Sequence, residues 1–340
     1  MCSAVPCDFF TRELGSLTMI IVTGANGFIG SVMVWELNQK GFTDIIAVDT
    51  VGLIERNLLE KRKYSRFLHK DDLWPFLATD EAKSKVTWII HMGACSSTTE
   101  TNKEFLWENN TYYTQRIFEW CRDNKKSMIY ASSAATYGAG ELGFDDTIDS
   151  EKLKPLNLYG ESKVLFDRWA VKQTQTPPHW YGLKFFNVFG PNEYEKGPMA
   201  SIVFKAYNQI NETNALGLFK SANPEYKDGE FMRDFIYVKD VTGWMAELMD
   251  KKPANGVYNM GFGQPRTWLD LANAVFKSMN KEMKITWIDM PENIRGQYQY
   301  YTEAKTDKWL AAGMSKAKWP LEKAVDDYVK NYLSHADQQI

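Results

Sequence analysis

Apolar residues fall along this chain in two registers. Short unbroken runs, Ile20-Ile21-Val22, Ile45-Ile46-Ala47-Val48, residues 86–91 and residues 127–131, have the character of strands buried on both faces. Between them apolar side chains recur every three or four positions. Ile29, Val32, Met33 and Leu37 mark one helical stripe, and Gly41 follows where helices commonly end in a residue with positive φ. Residues 102–124 read as a further helix, and the stretch opening at Tyr159 as another, with Val164, Leu165, Trp169 and Val171 supplying its apolar contacts. Strands alternating with helices predict an α/β fold on a doubly wound parallel sheet. From about Pro191 the chain leaves that alternation to build a smaller α/β substrate domain, 191–233 and 263–340. Residues 234–262 return to the first domain, which otherwise spans 19–190, through strands at 235–238 and 257–260. Residues 1–18 lack periodicity and read as a disordered tail.

The first strand runs straight into Gly24, Gly27 and Gly30 and then into the first helical stripe. Strand, glycine turn and helix N-terminus form a phosphate cradle, with backbone N–H groups and the helix dipole facing the anion. The Gly-x-x-Gly-x-x-Gly spacing differs from the Gly-x-Gly-x-x-Gly dinucleotide fingerprint. The second strand nevertheless ends in Asp49, about twenty residues on, where such folds place an acid on the adenosine ribose. A Rossmann-like dinucleotide site is the expectation. The basic cluster Arg56, Lys61, Arg62, Lys63 and Arg66 reads mostly as a solvated helix face, with one or two members reaching a cofactor phosphate. A 2′-phosphate would want such a cation, whereas Asp49 alone would favour a free ribose hydroxyl.

Composition narrows the function classes. Hydrophobic residues make up 44% and charged residues 24%, the balance of an ordinary globular enzyme. The net charge of −3 implies no broad surface for nucleic acid. Cys2, Cys7, Cys95 and Cys121 lack metal-ligand spacing, so reduced thiols, a cytoplasmic location and no metal are expected. No apolar run approaches the roughly 18 residues a membrane helix needs. Trp268, Trp287, Trp309 and Trp319 read as core or helix-packing residues rather than a stacking platform.

The chemistry is carried by a later pairing. Tyr159 and Lys163 stand at i and i+4 and project from one helix face, behind the strand end Ser132-Ser133. A phenol with an ordinary pKa near 10 is a poor base at neutral pH, and a neighbouring ammonium favours its ionised form. Lys163 is expected to lower the Tyr159 pKa and to bond a nicotinamide ribose, with Ser133 orienting a substrate alcohol. Of Asn109 and Asn110, either turns its amide to the site or to water.

These motifs resemble the extended short-chain dehydrogenase/reductase family, whose members epimerise, dehydrate or reduce nucleotide sugars. The segments 93–100, 130–137, 185–191 and 196–201 resemble the branch of that family that acts on ADP-linked heptoses. The resemblance implies epimerisation at C6 of ADP-D-glycero-D-manno-heptose by transient oxidation and re-reduction with NADP, in supply of heptose for lipopolysaccharide. It also implies a homo-oligomer, a pentamer by resemblance. A second acid/base is a lysine in that family, matching Lys196. Phe28, Ile29, Asp49, Thr50, Arg56, Lys70, Met92, Gly93, Ala94, Cys95, Ser96, Asn109, Lys163 and Val188 match its cofactor contacts. Asn187, Phe219, Lys220, Ser221, Ala222, Arg233 and Tyr298 match substrate contacts. Pro198, Lys205 and Gln297 depart from the family's residues at substrate positions, and the loop 223–232 is longer than expected. Alternatives are NAD in place of NADP, another nucleotide-sugar epimerase such as a 4-epimerase, a reductase, and a non-catalytic NADP-binding regulator. Elimination chemistry is disfavoured, because Ala134-Ala135 follows Ser133 where dehydratases usually carry an Asp-Glu pair.

Overall fold

The unbroken apolar runs become strands with no exposed residue. In the computed structural model, which describes residues 18–295 and 299–340, the first six strands are β1 (Met19–Thr23), β2 (Ile45–Asp49), β3 (Arg66–His69), β4 (Val86–His91), β5 (Ser127–Ser133) and β6 (Trp180–Phe185). The later chain adds β7 (Asn187–Phe189), β8 (Leu216–Phe219), β9 (Met232–Arg233), β10 (Phe235–Tyr237), β11 (Gly256–Met260), β12 (Arg266–Thr267) and β13 (Ile285–Ile288). Seven strands form one sheet in the order β11-β6-β5-β4-β1-β2-β3, each neighbouring pair parallel. The order reverses between β1 and β4, the switch point where open α/β sheets bind ligands. Both sheet faces are covered. Ile20, Val22 and Ile90 pack on one side with Met33 and Leu37 of the helix Phe28–Gln39, and Ile21, Ile89 and Met128 on the other with Phe118 and Phe166. Such two-sided burial explains why these strands read as continuous rather than alternating.

The second lobe grows from short pairings: β7 with β10, β9 with β12, β8 with β13. Its core joins Val203, Ile210, Leu271 and Tyr328 to Phe28 and Val32 of the first helix, so the two lobes share that helix. Among the described residues, no helix is long and apolar enough to cross a membrane.

Four expectations are corrected in detail. The segment 235–238 does not rejoin the large sheet; β10 pairs with β7, and only β11 returns to the sheet edge. The basic cluster lies on turns and on the edge strand β3, not on a helix. There Asn26 takes the place of helical hydrogen bonds, donating to Val51 O at 3.2 Å and accepting from Leu58 N at 2.9 Å. The helix over 102–124 contains a π-helical segment, Trp107–Tyr112. Val171 is 47% exposed, and Phe166 and Ala170 pack in its stead. Residues 1–17, with Cys2 and Cys7, and the positions Gln297 and Tyr298 lie outside the described residues.

The glycine turn is a matter of backbone contact. Gly24 has φ +63°, and a Cβ there would stand 2.6 Å from Gly93 N, binding the turn to the loop after β4. A Cβ on Gly30 would stand 2.0 Å from Gly24 O, so this glycine admits the turn itself to the helix. Gly30→Ala is therefore expected to destabilise the protein by roughly 3 kcal/mol or more, because no flexible side chain can yield. Gly243→Ala, in the helix Val238–Lys251 with nothing within 4 Å, is expected to stabilise it by about 0.5–1 kcal/mol. Urea denaturation of the two variants checks both signs.

Candidate active site

A cleft of about 1000 Å³ opens over the carboxyl ends of β1, β2, β4, β5 and β6. Its floor is the glycine turn and the loop 92–96; its far wall comes from the second lobe. Every residue matched to a cofactor contact lines it: Gly24, Gly27, Phe28, Ile29, Gly30, Asp49, Thr50, Arg56, Lys70, Met92, Gly93, Ala94, Cys95, Ser96, Asn109, Lys163 and Val188. The π-helical segment divides the two asparagines. Asn109 faces the cleft, while buried Asn110 accepts from Cys95 N at 2.8 Å, donates to Cys95 O at 3.0 Å and so holds the loop in place. Wide turns of this kind often mark functional sites.

The polar groups at this end fit a dinucleotide. Asp49 is buried; Oδ2 accepts from Asn26 N at 2.9 Å and Oδ1 from Thr50 N at 2.8 Å and Val51 N at 3.2 Å. Its carboxylate therefore shapes the turn as well as facing the cleft. Arg56 stands beside it at 4.0 Å, and its buried Nε has no partner among the described residues. A guanidinium on the cleft wall with a buried donor to spare suits an anionic group, and Lys70 adds a second cation.

Ser133, Tyr159 and Lys163 meet at the middle of the cleft. Asn157 caps the helix Leu158–Val171 by accepting from Gly160 N at 2.8 Å, which sets Tyr159 in its first turn. The Ser133 hydroxyl beside it lowers the Tyr159 phenol pKa, but burial outweighs that and the net shift is upward. The expected lowering by Lys163 is not the governing influence. The Lys163 ammonium lies 6.0 Å from the Tyr159 ring centroid and donates to Ala131 O at 2.9 Å. Burial brings its pKa down to about 8, with Asp167 and Cys95 opposing. Beneath them His91 links Thr23, at 2.6 Å, to Thr114, at 3.1 Å; burial pushes its pKa down to about 3, so it is a neutral strut.

Lys196 reaches the cleft from the loop after β7, its ammonium 5.2 Å from the Phe28 ring centroid. Burial and Lys205 lower its pKa, and Glu193 opposes them. Of the residues matched to substrate contacts, Ser133 and Asn187 line the cleft, as does Lys205, which donates to Pro198 O at 2.6 Å. Pro198, Phe219, Lys220, Ser221, Ala222 and Arg233 do not. Lys220 pairs with Asp289 at 3.1 Å, and Ser221 N donates to Asp228 Oδ1 at 2.7 Å. Buried Arg233 lies 5.9 Å from the ring centroid of Trp268, which is itself part of the cleft wall. The tryptophans thus divide: Trp309 is core, Trp287 is 39% exposed, and Trp268 belongs to the site. Gln299 and Thr302 also line the cleft and carry no motif of their own; the nearest signal was the match at Tyr298, one position before Gln299.

Comparison with known proteins agrees with this geometry. Residues 20–261 match the NAD dependent epimerase/dehydratase family. ADP-L-glycero-D-manno-heptose-6-epimerase of Fusobacterium nucleatum is 46% identical over 332 residues, 95% of this chain and 100% of that protein. The protein of the same name from Nitratidesulfovibrio vulgaris strain DP4 is 48% identical, over 94% of this chain and 99% of that one. The crystal structure of Helicobacter pylori ADP-L-glycero-D-manno-heptose-6-epimerase superposes with a TM-score of 0.77 at 23% identity, covering 93% of this chain and 96% of that one. With the glycine turn, the Ser133–Tyr159–Lys163 cluster and the sheet order all in place, the chain belongs to the NAD dependent epimerase/dehydratase family.

Proposed function

We propose that this protein epimerises ADP-D-glycero-D-manno-heptose to ADP-L-glycero-D-manno-heptose at C6, with NADP as resident cofactor. The observation that carries the reading is one cleft lined by Ser133, Tyr159 and Lys163 from the first lobe and Lys196 from a separate loop. Inverting a carbon that bears a hydroxyl by oxidation and re-reduction needs proton exchange on two faces, hence two acid/base groups. Relatives named for this reaction, 36–48% identical over more than nine-tenths of the chain, support the sugar. A bound nicotinamide dinucleotide supplies the hydride acceptor and then the donor, leaving no net redox change.

The protein's own residues do the rest. Ser133 and Tyr159 hold the C6 hydroxyl, and the Tyr159 oxygen takes its proton as the ketone forms. Lys196, made less basic by burial, exchanges a proton with the C6 oxygen when the sugar presents its other face. Asn187 and Lys205, both on the cleft wall, contact the sugar nucleotide. Arg56 reads the 2′-phosphate. The same reading extends to heptose supply for lipopolysaccharide, a cytoplasmic location and a homo-oligomer.

Tyr159→Phe and Lys196→Met are each expected to lower epimerisation by about 10²–10⁴-fold with the cofactor still bound. Chromatographic separation of the C6 epimers reads the rate, and near-normal turnover in Lys196→Met contradicts the two-base assignment. Arg56→Ala is expected to weaken NADP by roughly 10- to 100-fold while leaving NAD within a few-fold, since a charge-assisted contact contributes about 1.5–3 kcal/mol. Titration of both nucleotides into the apoprotein checks it; equal weakening removes the role.

A further inference from the structure

We propose that Asp167 is a positioning residue for this reaction, whose carboxylate fastens the strand ending in Ser133 to the helix that carries Tyr159 and Lys163. The inference rests on the reading of Tyr159 as an acid/base. Tyr159, Lys163 and Asp167 stand at i, i+4 and i+8, on one helix face. Asp167 is fully buried. Its Oδ1 accepts from Tyr130 Oη at 2.9 Å and its Oδ2 from Ser132 Oγ at 2.7 Å. Between those two residues, Ala131 O accepts from the Lys163 ammonium at 2.9 Å. Three successive residues of β5 are thus tied to two side chains one helical turn apart, and the next residue along is Ser133. A slip of the helix along the strand that moved Tyr159 away from Ser133 would also strain all three bonds.

The charge itself also has a task. Lys184 lies 3.6 Å from Asp167 Oδ2 and donates to Thr136 Oγ1 at 2.8 Å, making a buried ion pair. Well-packed apolar residues would hold the lobe together as well as such a pair does. What apolar residues cannot do is favour the charged form of Lys163. The titratable groups around that ammonium are Tyr159 and Asp167 on its own helix, His91 at the end of β4 and Cys95 in the loop that follows, with Lys184 beyond Asp167. Among these described groups Asp167 is the one carboxylate, and it opposes the lowering of the Lys163 pKa by burial. Without it that pKa falls further, so the ammonium that stands beside Tyr159 in the cleft loses its proton at lower pH.

Asp167→Asn alone strands the Lys184 charge, so the test is the charge-balanced Asp167→Asn/Lys184→Met holoenzyme, its fold verified by circular dichroism and its cofactor content measured. With ADP-D-glycero-D-manno-heptose as substrate, the alkaline limb of kcat is expected to move down by about one pH unit, a roughly tenfold loss at pH 9, with KM within about twofold. A kcat profile that overlays the unsubstituted protein's overturns the electrostatic role. Ser132→Ala removes one bond to Asp167 and leaves every charge in place. It is expected to lower kcat about fivefold with the alkaline limb unmoved, and an unchanged kcat overturns the fastening. Tyr159→Phe is measured beside them. If it retains turnover, the acid/base reading and this inference fall together; if it is inactive while the other variants behave as the unsubstituted protein, only the role of Asp167 falls.

Discussion

Two ammonium groups, Lys163 and Lys184, are held out of water within the first lobe, and each must find oxygen there. Desolvating an isolated cation costs several kcal/mol even after relaxation, so the surroundings of both are set by that demand. Ala131 O meets one and Thr136 Oγ1 the other, while the Asp167 carboxylate lies against Lys184 and influences Lys163. The partners come from β5, from the turn after it and from the helix Leu158–Val171. Satisfying the lysines therefore fixes strand, turn and helix relative to one another. Tyr159 and Ser133 face the same cleft as a consequence of that arrangement.

The same economy governs the cofactor end. Gly24 and Gly30 let the turn meet the loop after β4 and the first helix at distances that a Cβ would not allow. The sheet order reverses at this place, so the carboxyl ends of β1 and β4 diverge into helices on opposite faces and leave room between them. Asp49 and Asn26 then organise the irregular segment between β2 and β3 with side-chain hydrogen bonds, which presents Arg56 to the cleft. The second lobe closes the remaining side, and Phe28 joins the two: it packs in that lobe's core and faces the Lys196 ammonium.

Much of this was legible because local chemistry and the final contacts agree. The runs at β1, β2 and β4 read as buried strands for the reason they are buried, and the Tyr159–Lys163 spacing places both on one helix face whatever surrounds them. Where long-range contacts decide, the sequence was mute. Nothing local says that Phe235 pairs with Asn187 instead of joining the sheet, or that Asn26 reaches across to Leu58 and keeps the basic cluster off a helix. Trp268 looks like any core tryptophan until Arg233 and the cleft are seen beside it. The direction of the Tyr159 shift also depends on burial, which helical spacing does not report.

Epimerisation in this cleft rests on oxidation and re-reduction of one carbon of a nucleotide sugar without net consumption of cofactor. The direct measurement is to incubate the purified protein with ADP-D-glycero-D-manno-heptose, adding no nucleotide, and to follow the C6 proton by NMR. Both C6 epimers are predicted to appear, at an equilibrium ratio that is the same from either starting epimer. A spectrum that stays that of the starting sugar, even after NADP and NAD are each supplied, would contradict the account.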